Sequence, residues 1–395
     1  MRVLLFTGKG GVGKTTTAAA TAARAAASGL KTLVLSTDPA HSLADALGVP
    51  LGGEPVEVAS GLSAMQVDAQ RAFERSWREV QDYLRSLLER AGVDALQAEE
   101  LTVLPGAEEV LALLELRRQA LSGAWDVIVV DCAPTAETLR LLALPEALGW
   151  YMDRIFPMER RIVRSLRPVL SRAAGVPMPH DAVFAAVERF HDELAEVQEL
   201  LTGKDSSVRL VLTPETVVLA EARRSLTTLS LFGYTVDGVV ANRVFPEEGA
   251  DAWRARWVAA QREVLATVAE SFGELPVWAS AYQPHEPVGV AQVEAFAAAA
   301  YADSDPLERP AGDGPLSIRR TATGAALRLA LPFAERSDVD LARHGDELVL
   351  TVGSYRRVLV LPTALRAMTV AGARVGDGEL QVRFAEAPGS PGEGR

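Results

Sequence analysis

Apolar and polar positions follow two different rhythms along this chain. In the first part, short unbroken apolar runs alternate with longer stretches of helical spacing. The run at 2–7 meets a glycine-rich segment, then an alanine-rich stretch that reads as a helix ending at Gly29, then a second run at 32–36. Runs at 126–130, 208–212 and 236–241 have the same texture. Strand-length apolar runs separated by helices predict an α/β fold: a mostly parallel sheet covered on both faces. Spacings of three and four at Phe73, Trp77, Val80, Leu84 and Leu87 predict a helix with one apolar stripe. A second such stripe runs through Val183, Val187, Phe190, Leu194, Val197 and Leu201.

The rhythm breaks at 303–315, a segment rich in Pro, Gly and Asp that reads as a linker. Beyond it, residues 316–321, 326–331, 347–352, 356–361 and 379–384 form short alternating runs. Pro332, Gly345, Gly353, Pro362 and the Gly-Asp-Gly at 376–378 punctuate them. Regularly spaced short strands with turn signals predict a small β-sandwich. The expected organisation is therefore a domain at 1–302 with helical insertions at about 68–120 and 149–205, the linker, a sandwich at 316–385 and a disordered tail at 386–395.

Composition narrows the chemistry. The 395 residues carry a net charge of −12, which argues against nucleic acid as a partner. One cysteine, Cys132, excludes an internal disulfide framework and an all-cysteine metal site within one chain. No stretch reaches the roughly 18 apolar residues of a membrane span, and no basic segment with a small-residue cleavage site precedes the first apolar run. A cytoplasmic protein is expected.

The strongest chemical signal is Gly8-Lys9-Gly10-Gly11-Val12-Gly13-Lys14-Thr15, followed by Thr16. It matches the phosphate-binding loop pattern, here with a second lysine, and lies between a strand and a helix as that pattern requires. Glycines let backbone N–H groups face phosphate oxygens, and the following helix adds its positive end. Lys14 can reach the β- and γ-phosphates of ATP, and the Thr15 hydroxyl can ligate Mg²⁺. Lys9 is not needed to cradle a nucleotide within one chain. It is either a charge-stabilising finger across a dimer or a solvated loop lysine. Asp38 follows the second apolar run, where a carboxylate points into the nucleotide crevice and can orient or deprotonate attacking water. His41, nearby, is read as holding this loop. Asp131 ends the run at 126–130 in the Walker B manner and would hold Mg²⁺ directly or through water.

These residues, with Asp38-Pro39-Ala40-His41-Ser42-Leu43 and the motif at 131–142, resemble the anion-transporting ATPase (ArsA) family. That family includes the tail-anchored-protein targeting ATPases. Thr213-Pro214-Glu215, Glu221-Ala222-Arg223-Arg224 and Val239-Val240-Ala241-Asn242-Arg243 extend the resemblance to about residue 302. It implies a Mg²⁺-dependent ATP hydrolase acting as a homodimeric switch. Lys9 would reach the partner's nucleotide, Asp38 would be the catalytic carboxylate, and Glu215 and Asn242 would contact nucleotide. The segment 281–288, with Pro284, would flank the adenine. The sandwich resembles the small heat-shock (α-crystallin) domain of some bacterial members. It is either an interaction module or a stabilising appendage.

The departures are informative. Arsenite-pump members carry two phosphate-binding loops and a cysteine cluster, whereas this chain has one loop and only Cys132. Targeting members clamp their dimer with a Cys-x-x-Cys zinc site. The matching stretch at 251–257 has no cysteine, so no structural zinc is expected. Trp253 and Trp257 are either dimer contacts or core residues. Met152, Phe156, Met158, Val163, Leu166 and Val169 would either line a groove for a hydrophobic membrane-protein client or pack internally. Arg160, Arg161, Arg164, Arg167 and Arg172 form either a solvated face or a patch for transient membrane association. The competing readings are a subunit energising an anion or arsenite transporter and a ParA/MinD-like positioning ATPase. The latter would need a DNA-binding surface or an amphipathic membrane-targeting tail.

Overall fold

The computed structural model describes residues 1–38, 42–67, 107–133, 181–310, 312, 314–322 and 324–386. The stripe at 73–87, the residues proposed for a client groove with their arginines, the motif beyond Ala133, His41 and the tail lie outside the described residues.

The ATPase half is built on one sheet of eight strands: β1 Arg2–Thr7, β2 Thr32–Ser36, β3 Val56–Ala59, β4 Leu62–Gln66, β5 Val127–Asp131, β6 Ser206–Leu212, β7 Val236–Val244 and β8 Val277–Ala281. Their order is β3-β4-β2-β5-β1-β6-β7-β8, parallel except for the β3–β4 pair. Strands β1, β2, β5 and β6 are buried at every residue, which is why each reads as a mainly apolar run. Helix α1 (Lys14–Ala27) is rich in alanine, and these small side chains let it lie close to β5 and to α7 (Val290–Tyr301). Helices α2 (Ser42–Leu47), α3 (Ala107–Leu121), α4 (Asp181–Thr202), α5 (Thr216–Leu231) and α6 (Ala252–Ser271) complete the described layers. On α4 the stripe residues Leu194, Val197 and Leu201 are core residues.

One charged cluster lies inside this core. Arg209 on β6 is 1% exposed and holds Asp237 on β7 through Nε (3.1 Å) and Nη2 (2.9 Å). Arg2 reaches the same carboxylate at 3.0 Å, and Ser207 donates to it at 2.6 Å. Arg209 also donates to the Pro306 carbonyl at 2.7 Å and lies over the Trp278 ring at 4.5 Å, which ties the start of the linker to the sheet.

Two antiparallel sheets follow the linker. Strands β9 (Leu316–Thr321), β10 (Gly324–Ala330), β14 (Met368–Gly376) and β15 (Glu379–Glu386) form one, in the order β14-β15-β10-β9. Strands β11 (Val339–His344), β12 (Glu347–Val352) and β13 (Tyr355–Val360) form the other. Leu327, Leu329, Leu380, Val382 and Phe384 of the first and Leu348, Leu350 and Leu359 of the second are buried, giving the inner faces of a small sandwich. Strands β3, β4, β8, β11 and β14 are absent from the sequence expectation. The burial of β3, β8 and β14 is partial, so their apolar signal is weak.

The sandwich is seated on the ATPase half. Arg357 of β13, 7% exposed, donates to the Leu231 carbonyl at the end of α5, one of the carbonyls a helix leaves without an internal partner. Thr227 donates to the Pro332 carbonyl, and Phe333 meets Phe272 edge-to-face at 6.1 Å. Arg357→Ala should lower the unfolding free energy by about 2 kcal/mol, the scale of a buried charged hydrogen bond. Denaturant titration would check this; an unchanged midpoint would mean the cap adds nothing.

Candidate functional site

The site forms at the carboxyl edge of the parallel sheet, where β1 runs into the glycine loop. Gly8 and Gly13 are where that loop admits only glycine. A Cβ on Gly8 would sit 2.1 Å from the Val211 carbonyl oxygen. Gly13 has φ +93°, and a Cβ there would sit 2.3 Å from Nδ2 of Asn242. Asn242, 5% exposed on β7, donates that Nδ2 to the Val12 carbonyl at 2.9 Å and braces the loop from beneath. Base contact by Asn242 would therefore use the amide's other N–H. No side chain caps the N-terminus of α1, so its first-turn N–H groups face the space enclosed by the loop.

Lys14 is 6% exposed, and its Nζ lies 3.5 Å from the Lys9 carbonyl, back across the loop. Thr15 and Thr16 occupy the first turn of α1. Gly10 and Gly11 are exposed, while Val12 turns into the core. The Lys9 side chain is half-buried and has no hydrogen-bond or ion-pair partner among the described residues.

Asp131 closes β5 and is fully buried. Burial pushes its carboxyl up to about 7, with the Thr15 hydroxyl and the Lys14 ammonium opposing and Asp38 adding to the rise. Its Oδ2 accepts from the Ser36 hydroxyl at 3.3 Å, and its Oδ1 is buried with no hydrogen-bond partner among the described residues. A buried carboxylate with one unsatisfied oxygen, beside a threonine hydroxyl, fits a divalent cation bound directly or through water. Asp38 follows β2, and its N–H donates to the Ser36 hydroxyl at 3.2 Å. Ser42, the first residue of α2, lies 3.0 Å from the Thr15 hydroxyl. Lys14 and Thr15, Asp38, and Asp131 thus converge from three separate segments of the chain.

Glu215 takes the position before α5, exposed, and accepts from Thr213 at 2.9 Å. Pro284 is exposed in the segment after β8. Beyond it the Gly289 N–H donates to the Ala46 carbonyl of α2 at 2.9 Å, which brings 281–289 against the Ser42 helix. Cys132 is buried beside Asp131, and burial pushes its thiol far above the ordinary range. The native protein should resist iodoacetamide at pH 8.5 and react fully once denatured; mass spectrometry of both forms checks this.

Trp253 and Trp257 are not core residues. They are 61% and 43% exposed and lie one turn apart on α6. Phe245 contacts both, at 6.2 and 6.4 Å, and stacks on Tyr282 at 5.1 Å. Four rings therefore gather at the ends of β7 and β8. Sequence reasoning gave no role to Ser36 or Phe245, and named Ser42 and Tyr282 only within the stretches 38–43 and 281–288. For Ser36 a signal existed: a hydroxyl ending an apolar strand two residues before a carboxylate.

Comparison with known proteins shows the family and the two domains. The family model described as anion-transporting ATPase matches residues 1–302, and one described as an HSP20-like domain found in ArsA matches 322–384. A protein of Chlorobaculum tepidum named as an arsenical pump-driving ATPase is 38% identical over 390 residues, covering 97% of this chain and 96% of the relative. An uncharacterized protein of Streptomyces coelicolor is 43% identical over 392 residues, covering 98% of each. The ATPase ASNA1 homolog 2 of Paramecium tetraurelia is 26% identical over 296 residues, covering 73% of this chain and 90% of that one. The chain belongs to the ArsA family of anion-transporting ATPases, is an ATP hydrolase, and joins an ArsA ATPase domain to an HSP20-like β domain.

Proposed function

We propose that this ATPase is a Mg²⁺-dependent homodimeric switch whose nucleotide cycle governs the handling of hydrophobic, tail-anchored-like membrane-protein segments. The observation that carries the dimer is Lys9. The loop already has Lys14 for its own nucleotide, and the Lys9 ammonium has no partner among the described residues. The exposed rings of Trp253, Trp257 and Tyr282, gathered around the half-buried Phe245, support a contact surface that needs no zinc. Likeness to the Paramecium ATPase favours a targeting role.

In this reading the loop N–H groups and Lys14 hold the phosphates; Thr15 and Asp131 would hold Mg²⁺, which would neutralise phosphate charge. The Asp38 carboxylate orients the attacking water and accepts its proton. Lys9 from the second chain stabilises charge that develops only in the transition state.

Turnover should rise faster than linearly with protein concentration, and Lys9→Ala should lower kcat by about 10²-fold or more while ATP still binds. A strictly linear dependence with Lys9→Ala at full rate would remove the dimer. An ATP-held Asp38→Asn variant expressed in cells should retain proteins bearing a terminal hydrophobic helix.

The pump-driving name of the Chlorobaculum relative supports a second reading, the energising of an anion transporter. Arsenite-stimulated hydrolysis would favour it. Cys132, 2% exposed, is poorly placed to ligate a metalloid.

A further inference from the structure

Two serines tie the neighbourhood of Asp38 to the two groups that fit the cation. Ser36 and Asp131 are in-register neighbours on β2 and β5, each the last residue of its strand. The Ser36 hydroxyl has one proton and two lone pairs. The proton goes to Asp131 Oδ2 at 3.3 Å, and a lone pair accepts the Asp38 N–H at 3.2 Å. Thr37 adds to the same latch, its N–H and hydroxyl donating to the Asp131 carbonyl at 2.9 and 3.3 Å. Four residues after Asp38, the Ser42 hydroxyl lies 3.0 Å from Thr15 Oγ1.

We propose that Ser36 and Ser42 are positioning residues that make the placement of Asp38 depend on the bound cation. The proposal rests on the Mg²⁺-dependent reading above. Thr15 Oγ1, holding a cation through a lone pair, would have to direct its proton to Ser42, giving a direction to a hydrogen bond that has none now. A cation, or a water bound to it, at Asp131 Oδ1 would fix the orientation of that carboxylate, so that Oδ2 keeps the Ser36 proton. That hydrogen bond polarises the Ser36 oxygen, which accepts the Asp38 N–H more strongly in turn. Both ends of the stretch from Asp38 to Ser42 are thereby fixed by the metal-holding groups themselves. Neither serine touches phosphate in this scheme, so their loss should alter kcat and backbone protection more than nucleotide affinity.

The test is amide hydrogen exchange of the full-length protein with ADP, comparing Mg²⁺ with EDTA, beside steady-state ATP turnover. In the wild type, Mg²⁺ with ADP should slow exchange at Asp38. Ser36→Ala should abolish that protection and lower kcat by about tenfold, the scale of one charged hydrogen bond, with ADP affinity changed less than about threefold. Ser36→Thr, which restores the hydroxyl on a strand that tolerates β-branching, should recover both. Ser42→Ala should raise the Mg²⁺ concentration needed for half-maximal protection.

Wild-type protection and kcat in Ser36→Ala, or failure of Ser36→Thr to rescue, would overturn the proposal while leaving the Mg²⁺ reading intact. ADP binding and exchange in the wild type that ignore Mg²⁺ would overturn both. If Ser36→Ala fails to fold, Ser42→Ala decides alone: an unshifted Mg²⁺ requirement overturns the proposal.

Discussion

Asp237→Ala should cost about 3–5 kcal/mol of stability, the largest loss expected from a single substitution outside the nucleotide site. Among the described residues, Asp237 is the one acid in contact with two buried guanidiniums, those of Arg2 and Arg209. Burial lowers the Arg2 pKa, Asp237 opposes that, and Arg209 deepens it. For Arg209 burial also acts downward, but Asp237 and Tyr301 more than offset it, so its pKa is raised. Truncating the carboxylate leaves two cations repelling one another in a site closed to water, and takes the acceptor from the Ser207 proton. Urea titration should show a lower midpoint with an unchanged slope. A loss under about 1 kcal/mol would mean that water enters and takes over the role of Asp237.

Asp38→Asn should retain ATP binding and lose about 10²- to 10⁴-fold in turnover, the range for removing a positioned general base. The amide is nearly isosteric, and the backbone N–H that meets Ser36 is untouched, so the change isolates the carboxylate charge. Asp38 is also one of the groups that raise the Asp131 pKa, so its neutralisation should ease Asp131 toward the ionised state and leave Mg²⁺ binding no weaker. Affinity for ATP with Mg²⁺, measured by calorimetry beside single-turnover rates, separates the two effects. Wild-type turnover in this variant would remove Asp38 from the mechanism.

Much of the site was legible because its residues end or follow apolar strands. Asp131 ends β5, Asp38 lies two residues past β2, and the glycine loop directly follows β1. Such positions are set by local chain direction, which sequence records well. What stayed hidden depends on pairing across distance. Ser36 looks like a strand end until β2 and β5 are placed side by side. Asp237 and Arg209, 28 residues apart, each interrupt an apolar run, yet nothing local says that they neutralise one another. The aromatic patch was hidden for a similar reason. Trp253 and Trp257 have the spacing of a buried stripe, and only the position of α6 at the sheet's end leaves them exposed.

The Arg357 contact has a mechanical corollary. Helix α5 starts beside Glu215, just past the carboxyl end of β6, and ends where Arg357 holds the Leu231 carbonyl. Its 16 residues make a strut about 24 Å long. Tilting that strut by about 5° at the Glu215 end would displace its far end by about 2 Å, enough to break a hydrogen bond that tolerates only a few tenths of an ångström. The β domain is therefore a load on the lever. Either α5 stays still through the nucleotide cycle, or each stroke of it carries the sandwich along.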